Sequence, residues 1–295
     1  MRKINILESH IGDAITSFPA LYDLAEREGL EVYFTNAGVR DLWKNDAAIV
    51  SREKIEGGEE YNNQLASKIF AYSGLHMAQA WYWILGMPIP QFIRKVDFLE
   101  SKPAFLCDVI ISPFSHSDLL MSERGEFGGK TWPFEKWNKA IDALTGAGFS
   151  VGVCGMFGPG ADPAFWGDRR ITVFDSLPLN DLCGCARGAR CVATIDNGIG
   201  HIAHLLGVPH VHLIPNKPWV TPKEWTINKN KNAEIIYEDF SLLGITKVLQ
   251  SIFSVLSKFD DDVYFYFNKD VRDISMSAWR HYVMYGKSED RRISF

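Results

Sequence analysis

The stretch ATIDNGIGHIAHLLGVPHVHLI, residues 193–214, constrains this chain more than any other. It reads as strand, turn, helix, strand. The apolar run 191–195 is short and rich in β-branched residues, as a buried parallel strand should be. Asp196, Asn197 and Gly198 are turn chemistry, with Gly200 close behind. Ile202, Ala203, Leu205 and Leu206 then recur as one helical face. Gly207 stops the helix and Pro209 keeps the chain from resuming it. The pattern predicts a glycine-bearing loop feeding a helix N-terminus at the carboxyl end of a strand. An open α/β sheet binds its ligand there, and helix-terminal N–H groups favour an anion. A purely structural βαβ corner has the same signature.

The chain has 295 residues, enough for two ordinary domains. Its net charge of −5 argues against nucleic acid as the main partner. The opening MRKINILESHIGD has no long apolar core, and the longest apolar run, WYWILGMPI, is too short to span a bilayer. Five cysteines, an odd number, do not make a full disulfide framework. These features together lead us to expect a cytoplasmic protein.

The first half begins β-loop-α-β. Residues 4–7 form a strand, and Ile15, Phe18, Leu21, Leu24 and Ala25 recur at helical spacing. Pro19 belongs in that helix's first turn and Gly29 at its end, before a strand over 31–34. Asp13 sits at the mouth of the first loop, where it is either an N-cap or an acid or base facing a crevice. Further on, 39–44 reads as a short helix, 47–50 as a short strand and 55–61 as a polar loop. Residues 64–85 read as largely helical, with Trp81, Tyr82 and Trp83 in the core or at an interface rather than forming a sugar platform. A linker falls within 92–106, breaking at Lys102-Pro103.

The second half restarts with a strand over 109–111, then SPFSH and a polar loop. Pro133 suits the first position of a helix whose face is Phe134, Trp137, Ile141 and Leu144. Strands follow over 149–154 and 171–174, then a helix over 179–186 that leads into the 191–195 strand. Ile245, Val248, Leu249, Ile252 and Leu256 mark one more helix. This alternation predicts a second doubly wound parallel sheet.

Three segments in order resemble the heptosyltransferases, glycosyltransferase family nine. They are IGDAITSFPALYDL, then ISPFS with the later KTWPFEKW, then LPLNDLCGCARGARCVATIDNGIGHIAHLLGVPHVHLI. The resemblance covers residues 4 to about 220. It implies a GT-B fold, two doubly wound Rossmann-like domains facing a cleft. The corresponding divisions are 1–103 for an abbreviated acceptor-side domain, 104–258 for the nucleotide-sugar domain and 259–295 for a helical extension. It also implies inverting transfer from a nucleotide-diphosphate sugar without a metal or other cofactor, an ADP-linked heptose or related sugar being the first candidate. The acceptor would be a glycan, glycolipid or protein, in the building of lipopolysaccharide or another surface glycan. Peripheral membrane association and self-association are compatible with such work.

By the same resemblance Asp13 is the general base. Ser115, Lys130 and the backbone of Gly198 to Gly200 hold the diphosphate. Asp196 orients the loop or a hydroxyl, and His201, one turn into the helix, touches the donor or is a locally satisfied buried histidine. Asn197 stands where many relatives have Ser or Thr. No acidic residue follows the 151–154 strand to hold a ribose; Met156 and Phe157 occupy that region. A non-catalytic nucleotide-sugar-binding protein and a sugar-nucleotide epimerase of the same fold remain alternatives. The tail resembles a helical module appended to some bacterial glycosyltransferases. Its Tyr264, Tyr266, Trp279, Tyr282 and Tyr285 either stack on sugars or pack against the body. Cys183, Cys185 and Cys191, two on a helix and one in a strand, do not make a zinc site.

Overall fold

The computed structural model describes residues 1–7, 14–43, 48–62, 75, 77–91, 93, 103–104, 106–115, 130–155, 171–175, 177–216, 232–272, 276–289 and 291. Two wholly parallel sheets organise them, of four and six strands among the described residues. In chain order the first holds β1 (Arg2–Ile6), α1 (Phe18–Glu28), β2 (Leu30–Phe34), α2 (Ala37–Leu42), β3 (Ala48–Ser51), β4 (Glu59–Tyr61) and α3 (Met77–Ile84). Its strand order is β3-β2-β1-β4. Pro19 lies in the first turn of α1, where its missing N–H costs nothing, and Gly29 ends the helix at φ 73°. Asn36 caps α2, accepting from the Val39 N–H at 3.1 Å.

The expectation of a loop over 55–61 is corrected by β4. Three residues, two of them glutamates, carry no apolar alternation, so nothing local marks a strand. Tertiary partners place it. Arg2 donates to both Glu59 carboxylate oxygens at 2.7 and 2.8 Å and to the Tyr61 hydroxyl at 3.0 Å. The guanidinium, with Tyr61, draws the Glu59 carboxyl down to about 2. Behind it, the buried Asn5 amide exchanges two hydrogen bonds with the Ile55 backbone and pins the approach to the strand. Trp81 and Tyr82 are core residues, and the Trp81 indole donates to Thr16. Trp83 is 57% exposed and so lies outside the core.

The second sheet holds β5 (Val109–Ser112), α4 (Phe134–Gly146), β6 (Val151–Gly155), β7 (Ile171–Asp175), α5 (Leu179–Gly188), β8 (Cys191–Ile195), α6 (Gly198–Leu206), β9 (His210–Pro215), β10 (Ala233–Glu238) and α7 (Ile245–Leu256). Its order is β10-β9-β8-β5-β6-β7. The strand β10 was not anticipated: it is an edge strand of partly exposed residues whose pairing with β9 defines it. Pro133 is the N-cap of α4, one residue earlier than expected. Leu179 and Cys183 of α5 and Ile202 and Leu205 of α6 belong to the same buried cluster as the first sheet. α2 packs on α5, so the two halves share a core.

The chain ends in α8 (Asp261–Phe267), a 3-10 turn (Lys269–Val271), α9 (Ala278–His281) and a π-helical turn (Tyr282–Gly286). Phe259, Tyr264, Val271, Ala278 and Trp279 make a small core of their own. It docks on the body through the Trp279 indole to the Gly188 carbonyl and Arg190 to the Phe259 carbonyl, both at 2.9 Å. Tyr264 and Trp279 are therefore packing residues, whereas Tyr266 and Tyr285 face solvent. No helix among the described residues is long and apolar enough to cross a membrane.

Candidate functional site

The strand order fixes where a site can form. From β5 the chain winds outward through β6 to β7, returns to β8 and winds the other way through β9 to β10. The crevice at the carboxyl ends of β5 and β8 is the topological switch point of the sheet. Four expected residues gather there: Lys130, Asp196, Asn197 and His201. Ser115 lies in the segment leaving β5 and is 5% exposed. Asp13 lies outside the described residues, as does His116.

Asn197 ties the crevice together. Its side-chain oxygen caps α6, accepting from the N–H groups of Ile199 at 3.1 Å and Gly200 at 3.2 Å. The Thr194 hydroxyl donates to the same oxygen at 2.8 Å. Its amide nitrogen crosses to β5 and donates to the Ser112 hydroxyl at 2.9 Å and the Phe114 carbonyl at 2.8 Å. Ser or Thr could cap as well but has no second arm to reach β5. The cap also qualifies the anion-binding expectation. Two of the amides at the helix start already serve Asn197, so a ligand there would meet the Gly198 end of the turn and the helix dipole.

Gly200 is glycine for a packing reason. A Cβ there would sit 2.6 Å from the His212 ring, which lies against the first turn of α6. The histidine, twelve residues on, is brought under it only by β9, so no local pattern shows this constraint.

Charge is concentrated at the rim. The Lys130 ammonium donates to Asp196 Oδ2 at 2.8 Å, and His201 Nε2 is 4.0 Å from Asp196 Oδ1. The Lys130 side chain is 36% exposed and Asp196 16%. Burial pushes the Asp196 carboxyl up, but Lys130 with the His201 and His212 rings outweighs it, and the net displacement is downward. Burial drives His201 down to about 4 against the pull of Asp196. Its imidazole is neutral at physiological pH and can offer a hydrogen bond but no cationic charge. His212 is held down to about 3 and His210 to about 4, burial being the main cause in both.

Among the described residues no group of three or more histidine, cysteine, aspartate or glutamate side chains could hold a metal ion. The five cysteines are buried free thiols, Cys183 and Cys185 on α5 and Cys191 in β8.

No protein-family model matches the sequence, and no curated protein matches it. Solved structures do match the fold. The E. coli heptosyltransferase WaaC with ADP superposes at a TM-score of 0.62 and 16% identity, over 86% of this chain and 100% of that one. A glycosyl transferase family 9 protein from Veillonella parvula gives 0.62 and 15%, over 87% of this chain and 97% of that one. The iron-containing dodecameric glycosyltransferase TibC from enterotoxigenic E. coli gives 0.54 and 18%, over 72% and 57%. The fold is that of the heptosyltransferases. The GT-B expectation, two doubly wound parallel sheets with a helical tail, therefore stands.

Asn197→Ser keeps the helix cap and deletes the bridge to β5. We expect a loss of about 1–3 kcal/mol, the usual cost of stranding partly buried hydrogen-bonding groups, read as a lower urea midpoint. An unchanged midpoint would show that the bridge contributes nothing to stability.

The histidines predict acid sensitivity. Their ordinary value is 6.5, and the folded protein holds three of them at about 3 to 4. Between those values the unfolded chain binds more protons than the folded one, so stability falls as pH drops through that window and is full above it. Asp196, held below its ordinary 3.8, adds a further loss at still lower pH. Urea midpoints from about pH 7.5 down to 4.5 should decline steadily, and a flat series would contradict the burial of these rings.

Proposed function

We propose that this protein is an inverting glycosyltransferase of the heptosyltransferase type, moving a sugar from a nucleotide-diphosphate sugar to a glycan or protein acceptor. The observation that carries the reading is the Lys130–Asp196 pair at the switch point of a GT-B fold, beside the start of α6. A leaving diphosphate gains negative charge as the glycosidic bond breaks, and an ammonium with a helix N-terminus can stabilise it without a metal. Asp196 holds Lys130 in place. An arriving diphosphate would compete for that ammonium, leaving Asp196 to accept from a sugar hydroxyl or the neutral His201.

WaaC's companion ligand is ADP, which makes an adenine nucleotide the first donor to test here. Asp13, which precedes α1 in the sequence, is the base of this reading. It would take the acceptor hydroxyl's proton as that oxygen attacks the anomeric carbon and the nucleoside diphosphate departs. The product sugar has the opposite anomeric configuration. A cytoplasmic setting and a role in surface-glycan assembly belong to the same proposal.

Lys130→Ala should weaken nucleoside diphosphate binding by about 1–3 kcal/mol, measured by calorimetry on ADP, UDP and GDP. Affinity equal to wild type would remove Lys130 from the site. Addition of a chelator should leave binding and turnover intact, and its loss would reject the metal-free mechanism.

Asp13→Asn preserves size and capping ability while removing the base. Turnover should drop on the order of 10²–10⁴-fold with nucleotide affinity little changed. Wild-type turnover in this variant would reduce Asp13 to a helix cap, whereas nucleotide-sugar binding without turnover by the unmodified protein would favour the binding-protein alternative.

A further inference from the structure

Beside the switch point, at the carboxyl ends of β9 and β10, lies an open hollow of about 270 Å³. Thr131 and Pro133, just before α4, form one wall. Pro215 and Asn216 at the end of β9 form the second, and Phe240 and Ser241 in the turn after β10 form the third.

That turn is built to hold its shape. The carboxylate of Asp239, also in the lining, accepts from the Ser241 N–H at 2.8 Å and the Ser241 hydroxyl at 2.7 Å. From below, the Lys136 ammonium donates to the carbonyls of Phe240, Ser241 and Leu243 at 3.1, 3.2 and 2.8 Å. The fully buried Trp132 indole donates to the Leu243 carbonyl at 3.2 Å. A lysine head and a tryptophan are thus committed to fixing one surface turn. Such support is what a preorganised binding wall requires and more than a connection between a strand and a helix needs.

The lining has two chemistries. Pro133, Pro215 and Phe240 are its apolar members, while Thr131, Asn216, Asp239 and Ser241 are its polar ones. A sugar ring presents the complement, with C–H faces and a rim of hydroxyls. The volume falls just under the roughly 300–1,000 Å³ of ordinary small-molecule pockets. It suits one ring rather than a whole nucleotide. Placement agrees. Thr131 follows Lys130 in the chain, and β9 pairs with β8, so the hollow begins about one strand spacing, roughly 5 Å, from the Asp196 turn.

We propose that this hollow seats a sugar ring next to the diphosphate site and so contributes to the choice of sugar. The inference rests on the reading of Lys130 and Asp196 as the diphosphate site. The ring belongs either to the donor or to the acceptor; both offer the same chemistry to the hollow.

Asn216→Trp tests it, because Asn216 is exposed and its backbone N–H to the Glu238 carbonyl survives substitution. The indole would fill the hollow. Calorimetry compares ADP, UDP and GDP with ADP-glucose, UDP-glucose and GDP-mannose. Saturation-transfer NMR with free glucose, galactose, mannose and N-acetylglucosamine is run with saturating nucleoside diphosphate present. A donor ring predicts nucleoside diphosphate affinity within about twofold of wild type and nucleotide-sugar affinity at least about tenfold weaker. An acceptor ring predicts both affinities unchanged and loss of a free-sugar signal that wild type gives. Asn216→Ala, which removes one rim group without filling the space, should shift the same readout in the same direction by a few fold. Retained nucleoside diphosphate binding serves as the check that each variant is folded. Wild-type behaviour of Asn216→Trp toward nucleotide sugars and free sugars alike overturns the proposal and leaves the diphosphate site standing. Failure of wild type to bind any nucleoside diphosphate overturns the parent reading and this one with it.

Discussion

The second sheet depends on what happens where the chain reverses its winding across it. There β5 and β8 lie side by side, though about eighty residues separate them, and their loops diverge to opposite flanks. Backbone pairing ends with the strands. Beyond it the Asn197 side chain is the bridge, capping α6 with its oxygen while its nitrogen holds the Ser112–Phe114 turn. A side-chain amide can do both because it carries an acceptor and two donors at one end. The crevice is therefore set by a hydrogen-bonding group that a ligand does not need to reorganise, a favourable basis for positioning charge.

Electrostatics in the crevice follow from burial. Asp196 would rise if left alone in so enclosed a place, and Lys130 prevents it. The Asp196 carboxylate pulls on His201 and His212 too, but burial outweighs it there, as burial does at His210, and all three stay neutral. The ammonium of Lys130, paired with Asp196 beside the start of α6, is the cationic side chain that holds this carboxylate ionised.

The two halves are not independent modules joined by a strap. Side chains of α5 and α6 enter the buried cluster of the first sheet. Since α6 starts at the candidate site, movement between the halves bears on the helix that carries it. The tail sits elsewhere. It closes on Gly188 and Arg190, just before β8, at the end of the sheet remote from the crevice. Its aromatic residues divide between a small core and an exposed set that includes Tyr266 and Tyr285.

Sequence alone determined the elements whose signal is local. Alternating apolar strands and amphipathic helices gave two doubly wound sheets. Proline at the head of α1 and glycines at its end and after α6 marked boundaries, because those residues differ from others in backbone freedom. The Asp196–Gly200 turn marked the passage from strand to helix at the switch point, and ordered motifs named a family fold that the solved heptosyltransferases share. Tertiary structure decided what depends on partners distant in the chain. β4 is a strand because Arg2 and β1 are beside it, and β10 because β9 is. Gly200 is glycine because His212 rises beneath it. Lys130 and Asp196, sixty-six residues apart, meet only when the sheet is wound, since no local pattern encodes a contact between two loop ends.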